Sequence, residues 1–141
     1  MDLKSLKCSD VLYYFEEISK IPRGSGNEKA VSDYVVDFAQ KKGLWVKQDD
    51  ALNVIIKKPA SVGFENTPAV IIQGHLDMVC EKNNDVVHDF TKDPIELIYD
   101  GDFIKANGTT LGGDDGIAVA MGLALLADDS IQHPKLQVIF T

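Results

Sequence analysis

Cysteine is scarce. Cys8 and Cys80 are the only two in 141 residues, and no C-x-x-C spacing occurs, which excludes a disulfide framework and a thiolate zinc finger. Such sparing use points to a reducing compartment. Long apolar runs are missing too: none approaches the ~18 residues that a membrane span needs. The opening segment MDLKSLKCSDVLYY lacks the apolar core of a secretory signal, so the expected location is the cytoplasm. Positive charge is also short. With 14 Lys and Arg against 22 Asp and Glu, the net charge of −8 argues against a binder of phosphate backbones, which needs clustered cations. Neither nucleic acid nor membrane is therefore an expected partner. What is present is ordinary for a soluble globular domain: 45% hydrophobic and 26% charged residues, 11 Gly and 5 Pro. The length suits one domain able to bury roughly two-thirds of its unfolded surface. The carboxylate excess suits a solvated surface, a cationic partner or a metal site.

The patterning alternates between helix and strand. Val11, Leu12, Phe15, Ile18 and Ile21 share one helical face, with Ser9 and Asp10 as candidate N-caps. After the break at Pro22-Arg23-Gly24-Ser25-Gly26, Ser25 and Glu28 have the spacing of a capping box. Val31, Tyr34, Val35 and Phe38 continue as an apolar stripe up to Lys41-Lys42, and Gly43 is the expected stop. Leu44-Trp45-Val46 and Asn53-Val54-Ile55-Ile56 flank Asp49-Asp50 as a hairpin, followed by a loop over 59–68. Ala69-Val70-Ile71-Ile72 is continuously apolar, as for a strand buried on both faces. Residues 81–94 are polar and irregular, and Asp100-Gly101 marks a second hairpin between Leu97-Ile98-Tyr99 and Phe103-Ile104. A glycine-rich loop over 108–116 feeds a helix of small residues over 117–127, suited to close packing on a sheet. Residues 136–140 read as a further buried strand. The expectation is an α/β fold, a sheet with helices on its faces. Because the sequence stops at the end of that strand, the chain reads as a fragment.

Two motifs can carry chemistry. His75-x-Asp77 follows a buried strand, and ligands of open α/β sheets sit at the carboxyl ends of strands. A neutral imidazole binds a divalent metal while a carboxylate accepts its other ring N–H and fixes the tautomer. Asp114-Asp115 opens an apolar helix. The helix dipole accounts for one such carboxylate, but a second beside it adds repulsion that a metal ion would offset. Helix capping and metal coordination both remain open for this pair. The same loop lacks the Lys and Ser/Thr of a phosphate-binding loop, and its aspartates would repel phosphate. His88 and His133 read as structural, and Cys80 as a small buried hydrophobe rather than a soft ligand.

Gly74-His75-Leu76-Asp77-Met78-Val79 together with the Asn107–Gly116 stretch resembles the M20 family of co-catalytic zinc peptidases, in particular its aminoacyl-histidine (Xaa-His, beta-alanyl-histidine) dipeptidases. The segments Ile21-Pro-Arg-Gly-Ser-Gly-Asn-Glu28, Glu81-Lys82 and His88-Asp-Phe-Thr-Lys-Asp-Pro94 carry the same likeness, so it spans nearly the whole chain. Gly113 departs from it, standing where a small alanine-type residue is expected. The resemblance implies a phosphorylase/hydrolase-like α/β catalytic domain of which residues 1–141 are the N-terminal part. It implies that His75 ligates one zinc and that Asp114 bridges two, with a cis peptide bond from Asp114 to Asp115. Asp77, the candidate catalytic residue, would orient His75. Two zinc ions per full-length subunit are implied, with Co2+ or Mn2+ as possible substitutes, and the chemistry would be metal-assisted hydrolysis.

The partner would be a carnosine-like dipeptide substrate, and the full-length parent could be a homodimer. Past Thr141 the resemblance implies an acidic Glu-Glu loop with the general base and a zinc ligand. It also implies a further Asp, a distal His and a lid domain. The 141-residue chain alone is therefore expected to be inactive, to hold two zinc ions poorly, and to expose an edge at 136–140. The rival reading is a non-catalytic α/β binding module with at most one metal. A reading frame that continues into a Glu-Glu segment favours the enzyme, and a stop codon there favours the module.

Overall fold

In the computed structural model, which describes residues 8–141, the first apolar stripe winds into α1 (Ser9–Ser19) and buries Phe15 and Ile18. Residues 1–7, half of the segment read for a secretory signal, lie outside the described residues. Cys8, not Ser9 or Asp10, occupies the N-cap, and no side chain caps the helix. Those two residues are already inside the first turn, where the Asp10 charge still suits the dipole. α2 (Lys29–Lys41) buries Val31, Val35 and Phe38 on one face. Gly43, at φ 69°, provides the left-handed stop, and the amide of Leu44 reaches back to the carbonyl of Ala39 at 2.9 Å. The expected capping box does not form. Glu28 takes the N-cap position and its carboxylate accepts from the amide of Gly26 at 2.6 Å, while the Ser25 hydroxyl points elsewhere.

β1 (Trp45–Gln48) and β2 (Val54–Lys58) form the expected antiparallel hairpin. Asp49 closes its turn by accepting from the amides of Ala51 and Asn53 at 3.0 and 2.9 Å. β3 (Val70–Gly74) precedes a second hairpin, β4 (Leu97–Asp100) and β5 (Phe103–Ala106), which forms a separate two-stranded sheet. Gly101, at φ 59°, makes that turn as Asp-Gly predicts. α3 (Gly113–Ala127) and β6 (Leu136–Phe140) complete the chain.

The main sheet has the order β1-β2-β6-β3, with only the β3·β6 pair parallel. β6 is thus an inner strand, antiparallel to β2 on its other side, so the expected exposed edge at 136–140 is filled. The edges among the described residues are β1 and β3 instead. Val70 and Ile71 are 44% and 62% exposed, which overturns the reading of a strand buried on both faces. An apolar run fits an inner and an outer strand alike, and pairing decides between them. Among the described residues, helices cover one face of this sheet rather than both. Val54, Ile56, Val138 and Phe140 are buried there with residues of α1, α2 and α3, while Trp45 and Ile71 stand exposed on the other face. Gly122 lets α3 lie on β6: a Cβ there would sit 3.0 Å from the Phe140 ring and 3.1 Å from Val138. Among the described residues no helix is long and apolar enough to cross a membrane.

Candidate metal site

β3 ends at Gly74, and the next residue, His75, leaves the sheet at the carboxyl ends of the parallel pair. Gly74 also brings the start of α3 close. A Cβ at that position would lie 3.2 Å from both Ala118 Cβ and Asp115 Oδ2. The two motifs far apart in sequence therefore meet at one rim. Asp114 and Asp115 depart from helical torsion angles, and the peptide bond between them is cis, as the resemblance implied. Gly113, the one departure from the family pattern, is harmless, since a Cβ there would make only an ordinary 3.8 Å contact with Leu111.

His75 stands between two carboxylates. Its Nδ1 lies 2.9 Å from Asp77 Oδ1 and 3.1 Å from the Asp77 carbonyl, and its Nε2 lies 3.0 Å from Asp114 Oδ1. All three partners are acceptors, so Nδ1 carries a proton and Nε2 meets a lone pair. That second contact is repulsive unless a proton or a cation lies between the two atoms. An imidazole nitrogen and a carboxylate oxygen are both donors that zinc accepts, and the donor chemistry fits a divalent ion. Partial burial works against a charged ring, but the hydrogen bonds to Asp114 and Asp77 outweigh it and hold the His75 pKa above its ordinary value. Asp77 is held below the usual carboxylate value, foremost by the Ser25 hydroxyl bonded to Oδ2; burial opposes this and His75 reinforces it.

The site is an open rim, with the Asp114 side chain 96% exposed. Among the described residues no group of three or more His, Cys, Asp and Glu side chains is arranged to hold a metal, so two donors and one orienting carboxylate are what this chain offers. His88, edge-to-face with Phe90, and His133, buried beside Ser61, lie outside this group. Cys80 is half-buried, with its thiol pushed up by burial and its Sγ 3.7 Å from the Met78 carbonyl.

Sequence reasoning missed the residues that hold this rim together. Arg23 is 2% exposed. It donates from Nη1 to the carbonyls of Leu76 (3.0 Å) and Asp77 (3.4 Å), and from Nη2 to that of Gly112 (2.6 Å). Thr110 adds a second tie, donating its hydroxyl to the Val79 carbonyl at 2.7 Å and its amide to that of Glu81 at 2.8 Å. The signal available in the sequence was slight: an arginine inside a glycine-rich turn, with glycines at 112 and 116 whose Cβ atoms would each lie 2.5 Å from its Nη2.

The α/β architecture is shared with solved peptidase structures. The chain matches a tripeptidase from Staphylococcus aureus subsp. aureus Mu50 over 94% of its length and 35% of that chain, with a TM-score of 0.74 at 23% identity. Nearer in sequence is the cytosol non-specific dipeptidase of Escherichia coli (strain K12), 46% identical over 140 residues, or 99% of this chain and 29% of the relative. The aminoacylhistidine dipeptidase of Vibrio alginolyticus matches all of this chain and 29% of its own, with 42% identity and a TM-score of 0.96. The resemblance to these dipeptidases thus covers the whole chain, which spans less than a third of their length. No family model matches the sequence.

Proposed function

We propose that this chain is the N-terminal part of the catalytic domain of an M20-type, two-zinc dipeptidase that works in the cytoplasm. The observation that carries this reading is the approach of His75 Nε2 to Asp114 Oδ1 at 3.0 Å, with Asp77 bonded behind the ring. His75 would ligate one zinc, Asp114 would bridge two, and Asp77 would fix the ring through its hydrogen bond to Nδ1. A bound zinc pair supplies a lowered water pKa and a polarised scissile carbonyl. The chain's own residues prepare for that chemistry. Asp77 keeps the Nε2 lone pair pointed at the rim, and Ser25 holds Asp77 ionised. A catalytic zinc normally takes three protein ligands, so the remaining donors and the general base belong to the length of the relatives that this chain does not span.

The substrate class is a dipeptide, and Xaa-His (carnosine-like) peptides are the first choice, on the name of the Vibrio alginolyticus relative. The Escherichia coli relative is named as non-specific, so carnosine should be assayed beside dipeptides without histidine. The direct test is elemental analysis of the full-length protein. His75→Ala should lose zinc, whereas Asp77→Ala should keep the ligand and lose roughly 10–100-fold in affinity or activity. Unchanged zinc in the His75 variant, with no dipeptide cleaved, would favour a non-catalytic binding module with at most one metal. The presence of only two donors among the described residues is the observation on that side.

A further inference from the structure

We propose that Arg23 is a positioning residue that sets the separation of the two metal-bearing loops. Its guanidinium spans carbonyls at residue 76, one past His75, and at residue 112, two before Asp114. This inference rests on the metal reading of His75 and Asp114. The planar fork makes such a bridge possible. One arm takes the first loop and the other arm the second, so their spacing is fixed by the rigid guanidinium rather than by a flexible chain. The main chain on either side joins in. The Met78 amide donates to the Arg23 carbonyl at 3.0 Å, and the Ser25 amide to the Met78 carbonyl at 3.3 Å, aligning 23–25 beside 76–78.

The surroundings are shaped to this cation. Gly112 and Gly116 leave room that any Cβ would take from Nη2, and Phe15 packs close to Gly116 on the same side. Generic packing would be better served by an apolar side chain. A buried arginine must lose its hydration, and its Nε finds no partner among the described residues. What an apolar residue cannot do is hold two inward-facing carbonyls of two loops at one distance. A lysine would keep the charge but, with a single nitrogen, would not hold both carbonyls in a fixed fork.

The test is zinc affinity, measured by competitive titration on the full-length protein at a temperature well below the unfolding midpoint of each variant. A role in stability alone would lower that midpoint and leave the affinity of the folded protein unchanged. Arg23→Lys should bind zinc roughly 10–100-fold more weakly, with the zinc count regained at saturation. Gly116→Ala, which displaces the guanidinium without altering any polar group, should weaken zinc in the same direction. It should have little further effect in the Arg23→Lys background, because both changes act through one group. Should Arg23→Lys fail to fold, Gly116→Ala alone decides. Wild-type affinity in a folded Arg23→Lys protein, or a Gly116→Ala protein that loses only thermal stability, overturns the proposal. His75→Ala separates the two ideas. If it loses zinc while the Arg23 and Gly116 variants bind normally, only the positioning role falls; if it keeps its zinc, the metal reading falls and the positioning role with it.

Discussion

Ser25 donates its hydroxyl hydrogen to Oδ2 of Asp77, the carboxylate oxygen that His75 does not use. Both oxygens of Asp77 are thereby engaged, and the carboxylate can rotate away from His75 only by breaking a bond on each side. The serine that local spacing assigns to a helix cap serves a contact 52 residues further along the chain.

Removing that hydroxyl should be felt at Asp77. In Ser25→Ala the carboxyl pKa is expected to rise toward its ordinary value, since the first cause of its depression is gone. A hydrogen bond to a partly exposed charge contributes about 1 kcal/mol, so zinc affinity should fall roughly fivefold, less than in Asp77→Ala. Carboxyl carbon NMR across an acid titration of the metal-free protein reads the first effect directly. An unmoved Asp77 titration would show that the hydroxyl does not hold the carboxylate.

The His75 ring gives a pH dependence whose sign differs with and without metal. Its folded pKa is raised above 6.5, so the charged ring between Asp77 and Asp114 stabilises the metal-free fold fully below that value. This contribution is lost as pH rises through the raised folded value. It should be small, because the ring is 39% exposed and solvent screens the pairs. Zinc needs the neutral ring, so its affinity should climb over the same interval. Thermal melts of the metal-free protein should show stability declining across that window, and His75→Gln should flatten the decline. A decline of the same size in that variant would assign it to other groups.

Much of the fold was legible because it is written locally. The stripe of Val31, Val35 and Phe38 repeats with helical period and buries as expected, and Gly43 and Gly101 sit at positive φ where their turns require it. That His75, Asp77 and Asp114 meet was legible because both motifs fall at loop ends of one sheet. What could not be read depends on distant partners. Ala69-Val70-Ile71-Ile72 is apolar enough for an inner strand, yet β6 pairs it on one side only, and no local feature records that. Arg23 stands in a helix-breaking segment with no local sign of burial, because the carbonyls that bury it come from Leu76 and Gly112. Ser25 satisfied a capping pattern by spacing alone, while the competing acceptor, Asp77, lay far along the sequence.

Lys58 allows stability to be separated from the site. It is a 7% exposed lysine on β2, and its ammonium donates to the carbonyls of Leu126 (3.1 Å) and Asp128 (2.7 Å), with Leu125 at 3.5 Å and Asp129 Oδ1 at 3.3 Å. The last turn of α3 carries no basic residue of its own, so a neighbouring strand supplies the positive charge that the helix C-terminus favours. Lys58→Met keeps the length and the apolar stem but leaves these carbonyls without their donor. The expected cost is about 2–3 kcal/mol, read as a lower midpoint in urea unfolding. Asp114 lies at the opposite end of α3, so zinc affinity of the folded variant should match the parent protein. A variant as stable as the parent would show that water replaces the ammonium at those carbonyls. Loss of zinc affinity in a folded Lys58→Met protein would show that α3 transmits a shift from one end to the other, and that its N-terminus is held less firmly by Arg23 than the geometry indicates.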